Sequence, residues 1–256
     1  MLGRIASQEA WHPLVRTLQR CARQVRERGD LSYVVRTCAD VVRVQCEQRF
    51  LVYHYADVPV AWRALHTDAI LLGGVATLAM QEPTDVEARI RDLDVALIVS
   101  GAPDREADVH MLLRALQAYM PHDDSVHPRL VPDHIPLTQT NAARTVDEYA
   151  EAPSLSAFLR RCPHPSCPYG APFVVRGFAR DWPAMSRWRD PSDLCRRAGP
   201  GRVVPIEKGL SYTDETWGQG IVPWSDFLAR IGWSSSACEP LYLAQHTLHT
   251  QFPWLA

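Results

Sequence analysis

The sequence predicts an α+β protein in which an N-terminal helical domain precedes a domain that contains strands. Apolar residues recur at helical spacing through the first 120 residues, whereas short apolar runs bounded by Gly and Pro follow residue 153. Between them, residues 121–153 carry five prolines among polar residues, which is typical of a linker. We therefore expect a helical domain over 1–120, a linker over 121–153 and a strand-containing domain over 154–256.

The composition is that of an ordinary globular protein, with 256 residues, 46% hydrophobic and 22% charged. A formal net charge of −2, without a cluster of basic and aromatic residues, argues against a direct nucleic-acid partner. The most apolar run, Ala69–Met80, is too short to cross a bilayer, and residues 1–20 lack the apolar core of a signal peptide. Seven cysteines without disulfide-like spacing predict a reducing compartment, the nucleus or the cytoplasm.

The helical domain is expected to contain five amphipathic helices. The fourth has the clearest start, because Thr84 and Glu87 stand three residues apart as in a capping box. Gly101 suits the C-terminal cap of the same helix. The helices are predicted over Trp11–Val25, 32–50, 60–78, Val86–Leu97 and Arg105–Met120.

Beyond residue 153 the sequence predicts strands that alternate with short helices. Short β-branched and aromatic runs predict the strands, and the first of them is expected to be buried. The predicted strands are Phe173–Val175, Arg202–Glu207 and Leu241–Leu248, and the predicted helices are Leu155–Arg161 and Trp224–Ile231.

Several sequence blocks resemble the JmjC-type Fe(II)/2-oxoglutarate oxygenases, a family of protein hydroxylases and histone lysine demethylases. The blocks are the strand Pro172–Gly177 followed by Trp182-Pro183, then Arg202–Glu207 with Tyr212-Thr-Asp-Glu215, then Tyr242-Leu-Ala-Gln-His246. In the helical half, Asp57–Leu65 and the R-x-L-D-x-A-L text within Ile90–Leu97 resemble the same family. The blocks occur in the order that this family shows.

This resemblance implies a fold, a chemistry and a set of site residues. The strand-containing domain would be the opening, incomplete part of a cupin-like jelly roll, with Fe(II) and 2-oxoglutarate as cofactors. The reaction would hydroxylate an arginine or a methyl-lysine of a protein substrate such as a histone, in the nucleus. Tyr242 would hydrogen-bond 2-oxoglutarate, while Glu207, Tyr212 and Gln245 would contact the substrate.

The same resemblance implies that the iron ligands are missing. In such oxygenases a His-x-Asp pair and a later His hold the metal, and they follow the block that ends at His246 by tens of residues. The eleven residues after Gln245 contain no Asp or Glu. We therefore expect the chain to lack the iron triad and to be inactive by itself.

Other groups of potential metal ligands do not form convincing sites in the sequence. His66 and Asp68 lie in a predicted helix about 200° apart around its axis, so they cannot share an ion and are expected to form a surface pair. His122-Asp-Asp with His127 lies in the linker, and Cys162-Pro-His-Pro-Ser-Cys167 is half of a zinc motif; both are expected to be loops. His246 is expected to be structural.

Simpler interpretations of the site residues remain open. Glu207 suits a surface acid at a strand end, and Tyr242 suits a core aromatic residue. For the whole chain, the alternative function is that of a non-catalytic helical module that binds other proteins.

Overall fold

The computed structural model describes residues 13–121, 146–161, 172–209, 213, 215–230, 241–243 and 245–255. The chain divides into two compact units, one made of Met1–Arg129 with Pro191–Leu255 and the other of Leu130–Asp190. Helices and a few strands occur in both, so the α+β class is confirmed. None of the helices in the described ranges is long and apolar enough to cross a membrane.

The helices within residues 13–117 agree with the five that apolar spacing predicts. The second predicted helix is one continuous run with a π-helical segment, Thr37–Arg43, in its middle, and the fourth ends in a π-helical segment, Ala96–Ser100. The helices are α1 (Pro13–Arg26), α2 (Leu31–Arg36), α3 (Val44–Phe50), α4 (Val60–Leu78), α5 (Val86–Val95) and α6 (Glu106–Gln117).

The start of α5 differs from its prediction, whereas its end agrees. The capping box of Thr84 and Glu87 is wrong: Asp85 is the N-cap, its φ is +55°, and no side chain caps the helix. The left-handed backbone of Asp85 turns the chain into the helix, so the Thr84 hydroxyl is not at the cap. Gly101 adopts φ +70° after the π segment, as the predicted C-cap glycine should.

The later elements are short, and several were not predicted. The strands are β1 (Asp147–Tyr149), β2 (Phe173–Val175), β3 (Val203–Lys208), β4 (Gly218–Pro223) and β5 (Leu241–Tyr242). The helices are α7 (Leu155–Arg161), α8 (Pro183–Arg187), α9 (Pro191–Ala198), α10 (Trp224–Arg230) and α11 (Leu248–Gln251). The predicted strand Leu241–Leu248 is therefore wrong beyond Tyr242, because Leu248 begins a helix. The unpredicted strands are β1 and β4.

The smaller unit is built on two parallel strands, β1 and β2, of which β1 lies in the segment predicted as a linker. Tyr149 packs edge-on against Phe173 with ring centroids 5.5 Å apart, and Arg176 pairs with Glu148. The expectation that Phe173–Val175 is buried is wrong, since Val174 is 40% exposed.

The larger unit has a three-stranded antiparallel sheet in the order β4-β3-β5. One face of this sheet, with Val204 and Ile206, packs on α9, α10 and the C-terminal turn around Phe252. Two further apolar cores lie among the helices, one around Leu18 and the other around Leu93. Each of these fully buried leucines contributes roughly 2 kcal/mol of transfer free energy.

Candidate functional site

The opposite face of the β4-β3-β5 sheet brings together two predicted site residues. Glu207 pairs directly with Tyr242 of β5 on one side and with Gln219 of β4 on the other. Directly paired residues point to the same face with Cβ atoms about 5 Å apart, so the three side chains form a polar row across the sheet. The carboxylate predicted to bind the substrate, that of Glu207, therefore lies beside the phenol predicted to bind 2-oxoglutarate, that of Tyr242.

Exposure decides between the interpretations that the sequence left open. Tyr242 is 63% exposed, so the core-aromatic interpretation is wrong. Glu207 is half-buried and lines a cavity of about 310 Å³, so it is not simply a surface acid at a strand end. Such a volume lies at the small end of ligand sites and suits one side chain. Around Glu207 the cavity is lined by Ile98, Val99, Pro205, Ile206, Gln219, Gly220 and Ile221.

The helical region supplies one wall of that cavity, and Arg63 holds this wall in place. The guanidinium of Arg63 donates to the carbonyl of Val99 at 3.1 Å and to the carbonyl of Tyr55. Its Cζ lies 4.5 Å above the Tyr55 ring, and the Tyr55 hydroxyl reaches the carbonyl of Ile98 at 3.4 Å. Because the π segment ends here, the carbonyls of Ile98 and Val99 lack helical partners, and the side chains of Tyr55 and Arg63 satisfy them.

A buried polar network behind the sheet joins α5 to β3 and α11. Asp94, fully buried, accepts from Arg202 Nη2 at 2.7 Å and from the Val203 amide at 2.9 Å. The Arg202 guanidinium also lies 4.3 Å above the Phe252 ring. Gln251 completes the network by donating to Asp94 at 2.8 Å and to the Val203 carbonyl at 2.6 Å. The network satisfies the buried charges that would otherwise destabilise the fold.

The turn after β5 carries the third predicted site residue, Gln245. Its φ is +52°, in the left-handed region that costs a residue with a side chain about 1–2 kcal/mol. The next residue, His246, bonds Gln251 through Nε2 at 2.7 Å, which gives this histidine a structural partner in the buried network. The strained turn is thus held between β5 and Gln251.

The His66-x-Asp68 string forms no metal site, because its two side chains serve different partners. Both are buried, so the expected surface pair is wrong. His66 contacts Ser100 Oγ at 3.1 Å through Nδ1 and Glu47 Oε1 at 3.3 Å through Nε2. Asp68 accepts from Arg105 at 3.0 Å. Burial on one helix, with partners on opposite sides, separates the two groups.

The Glu47–His66–Ser100 contacts resemble a hydrolytic triad, but they are structural. Ser100 is 2% exposed and His66 is fully buried, so no substrate reaches the hydroxyl. Ser100 Oγ also donates to the Ala96 carbonyl at 2.8 Å, which occupies its hydrogen. Burial raises the pKa of the Glu47 carboxyl, but the hydrogen bond to His66 and the nearby Arg43 outweigh it, so the pKa is lowered.

The described residues hold no group of three His, Cys, Asp or Glu side chains arranged to bind a metal ion. Several predicted groups lie outside the described residues: Tyr212, His122 with His127, and the motif Cys162–Cys167. Burial raises the pKa of the Cys46 thiol to about 12, so this cysteine is not a reactive thiolate.

Sequence reasoning missed the residues that support the site. Gln219 carried no signal, since its strand is rich in glycine. Asp94 stands in the R-x-L-D-x-A-L text and Arg202 at the start of another resembling block, but neither was singled out. An acid in a buried helical position, four residues after Ile90, was the available signal for Asp94.

Similarity to known proteins is confined to part of the chain. It is 40% identical over 99 residues to "Lysine-specific demethylase JMJ30" of Arabidopsis thaliana, which covers 38% of this chain and 22% of that protein. It is 37% identical over 84 residues to "Lysine-specific demethylase 8" of Danio rerio (33% and 21%), and 32% identical over 92 residues to that of Xenopus tropicalis (33% and 18%). The matches thus span about a fifth of these relatives' length.

No protein-family profile matches the chain, and no solved structure matches it significantly. The similarity therefore rests on the curated demethylases alone. The chain is similar to the JmjC lysine-specific demethylases over about a third of its length, which confirms the resemblance predicted from its motifs.

Proposed function

We propose that this chain carries the helical region and the first strands of a JmjC-type Fe(II)/2-oxoglutarate-dependent protein hydroxylase or histone lysine demethylase. The similarity to lysine-specific demethylases supports the family. The observation that carries the proposal is the direct pairing of Glu207 with Tyr242. This pairing sets an acid suited to bind a substrate cation beside a phenol suited to bind 2-oxoglutarate. The proposal includes completion of the β4-β3-β5 sheet into a jelly roll, and a nuclear location.

The chemistry of the polar row suits this role. Glu207 can accept charge-assisted hydrogen bonds from a guanidinium or an ammonium group of a protein substrate. Its cavity has apolar walls that fit the methylene part of such a side chain. The exposed hydroxyl of Tyr242 can donate to a carboxylate of 2-oxoglutarate. The two ligands would therefore meet at neighbouring positions of one sheet face.

Iron chemistry is not assigned to the described residues. The family resemblance implies Fe(II), but the described histidines and acids do not come together as a triad, and His66 and Asp68 are held by other partners. The described residues therefore receive only substrate and 2-oxoglutarate contacts in this proposal. An iron-binding triad has to come from other residues.

The experiment is a pair of calorimetric titrations of the 256-residue chain, one with 2-oxoglutarate and one with a peptide that contains arginine and methyl-lysine. We expect Tyr242→Phe to weaken 2-oxoglutarate binding about tenfold and Glu207→Gln to weaken peptide binding about tenfold, since each loses one charge-assisted hydrogen bond. The matched controls are Tyr119→Phe, in the exposed turn after α6, and Asp226→Asn, on the exposed surface of α10, and both should bind normally.

Each outcome of these titrations has a clear meaning. Separate effects of the two variants on their own ligands support the proposal. Binding that is absent, or unchanged in both variants, contradicts it. In that case the alternative, a non-catalytic helical module, becomes the better interpretation, and pull-down of protein partners by the 256-residue chain would test it.

A further inference from the structure

The hydrogen bonds of Gln251 determine which way its side-chain amide faces. Its nitrogen lies 2.8 Å from Asp94 Oδ1 and 2.6 Å from the carbonyl oxygen of Val203. Both of these atoms only accept hydrogen bonds, so the group that faces them has to be the NH₂. The opposite orientation would set the amide oxygen against two other oxygens. The amide of Gln251 is therefore fixed with its oxygen towards His246.

This orientation in turn fixes the hydrogen of His246. Gln251 Oε1 lies 2.7 Å from His246 Nε2 and has only lone pairs to offer, so Nε2 has to carry the hydrogen. In the neutral ring the lone pair then lies on Nδ1. Gln251 is 1% exposed, whereas His246 is half-buried, so the buried partner constrains the more accessible one.

We propose that Gln251 is a positioning residue for the turn formed by Gln245 and His246. Gln245 adopts φ +52°, which a residue with a side chain rarely does unless its surroundings impose it. On one side, β5 is fixed by the pairing of Tyr242 with Glu207; on the other, His246 is fixed by Gln251. The left-handed turn between these two anchors sets where the Gln245 side chain lies.

The anchor also extends to the helical region. Gln251 is held by Asp94 of α5, and Asp94 is held by Arg202 and the Val203 amide. A change in α5 therefore reaches the turn through two hydrogen-bonded side chains. The substrate contact that the family resemblance implies for Gln245 rests on the proposed function, whereas the positioning of the turn does not.

The test is nuclear magnetic resonance of the 256-residue chain labelled with ¹⁵N. In the wild type we expect a slowly exchanging Nε2 proton on His246 and a lone-pair Nδ1 when the ring is neutral. Gln251→Leu should abolish the slow exchange of that proton and shift the backbone amide signals of Gln245 and His246.

The matched control is Gln117→Leu. Gln117 is a half-buried glutamine whose NH₂ donates to two carbonyls, those of Ala198 and Pro200. Neither of these hydrogen bonds involves His246. We expect it to leave the His246 proton and the Gln245 amide signal unchanged, although it removes two side-chain hydrogen bonds where Gln251→Leu removes three. A general loss of packing would instead affect both variants alike.

Three results would overturn the proposal: a hydrogen on Nδ1 in the neutral wild type, a rapidly exchanging Nε2 proton in the wild type, or a Gln245 signal that Gln251→Leu leaves in place. The wild-type measurement needs no variant to fold. None of these results depends on ligand binding, so failure of the proposed oxygenase function would show in the titrations and not here.

Discussion

Asp94 and Arg202 form a buried, two-pronged ion pair across 108 residues of sequence. Arg202 Nη2 lies 2.7 Å from Oδ1 and Nε lies 2.9 Å from Oδ2, and the two side chains are 0% and 3% exposed. The pair joins α5 to the start of β3, so the helical region and Pro191–Leu255 fold as one compact unit. Each of these deeply buried charges is neutralised by the other.

Removing the charge of Asp94 should strongly destabilise this unit. Asp94→Asn keeps the shape but leaves the Arg202 guanidinium buried without its partner, which costs about 3–5 kcal/mol. Denaturant unfolding followed by circular dichroism measures the loss.

The control is an ion pair whose arginine is much more exposed to solvent. Asp193 bonds Arg197 Nε at 2.6 Å, but the arginine side chain is 42% exposed, so Asp193→Asn should cost less than about 1 kcal/mol. A double variant, Asp94→Leu with Arg202→Met, should be more stable than Asp94→Asn because no charge stays buried. Equal losses of unfolding free energy for Asp94→Asn and Asp193→Asn would show that breaking the buried pair costs no more than breaking the exposed one.

Two adjacent glycines of α4 should respond oppositely to alanine. A Cβ on Gly73 would lie 3.6 Å from Cys38 Cβ, an ordinary contact, so Gly73→Ala should stabilise the helix by roughly 0.5–1 kcal/mol. A Cβ on Gly74 would lie 2.7 Å from Leu112 Cδ2, so Gly74→Ala forces Leu112 aside and should cost about 1–3 kcal/mol. Thermal unfolding of both variants measures the difference, and the same sign for both would refute this packing.

The free energy of unfolding of the helical region should fall at acid pH because Glu47 becomes protonated. Its pKa is lowered from the usual 4.5: burial acts to raise it, but the hydrogen bond to His66 and the charge of Arg43 prevail. The folded state therefore holds fewer protons than the unfolded state, and this carboxylate stabilises the fold fully above about pH 4.5. That contribution is lost as pH falls through the lowered pKa.

The comparison that isolates Glu47 is the unfolding free energy of the wild type minus that of Glu47→Gln across the acid range. We expect the difference to be constant near neutral pH and to shrink as Glu47 becomes protonated. Arg43 also bonds Glu47, at 2.7 Å, so Arg43→Met should reduce the same pH dependence. A difference that grows towards acid would mean that the pKa is raised.

The sequence predicts the helices of this chain better than its sheet, for a physical reason. Apolar residues at helical spacing bury one face wherever the helix packs, so the local sequence predicts α6 nearly to its ends. The bounds of α4 were predicted equally well, but its expected amphipathic character is wrong, because its residues are buried almost all round. The strand β4 has two glycines, which weaken a strand, and it forms because β3 pairs with all six of its residues. Whether such a segment forms a strand therefore depends on a partner strand that local sequence patterns do not reveal.

In the candidate site too, the residues that local sequence indicates were predicted, and the contacts that depend on distant partners were not. Glu207 and Tyr242 were predicted from their sequence blocks, but their pairing depends on strand register, which single-sequence reasoning does not give. Asp94 stands on the apolar face of α5, four residues after Ile90, but the sequence does not show that Arg202 is its partner. The roles of residues that depend on a partner distant in sequence were therefore not predicted.

The backbone of Gln245 allows its conformational role to be separated from its contacts. Asparagine tolerates the left-handed region and valine does not, so Gln245→Asn should leave stability nearly unchanged while Gln245→Val should cost about 1–2 kcal/mol, because φ is +52°. If Gln245 contacts the substrate, as the family resemblance implies, Gln245→Asn should weaken peptide binding even though the fold is intact, since its shorter side chain cannot reach the same group. Thermal unfolding and peptide titration of the two variants measure the two effects. Equal stability of the valine and asparagine variants would mean that this turn is not held in the left-handed region.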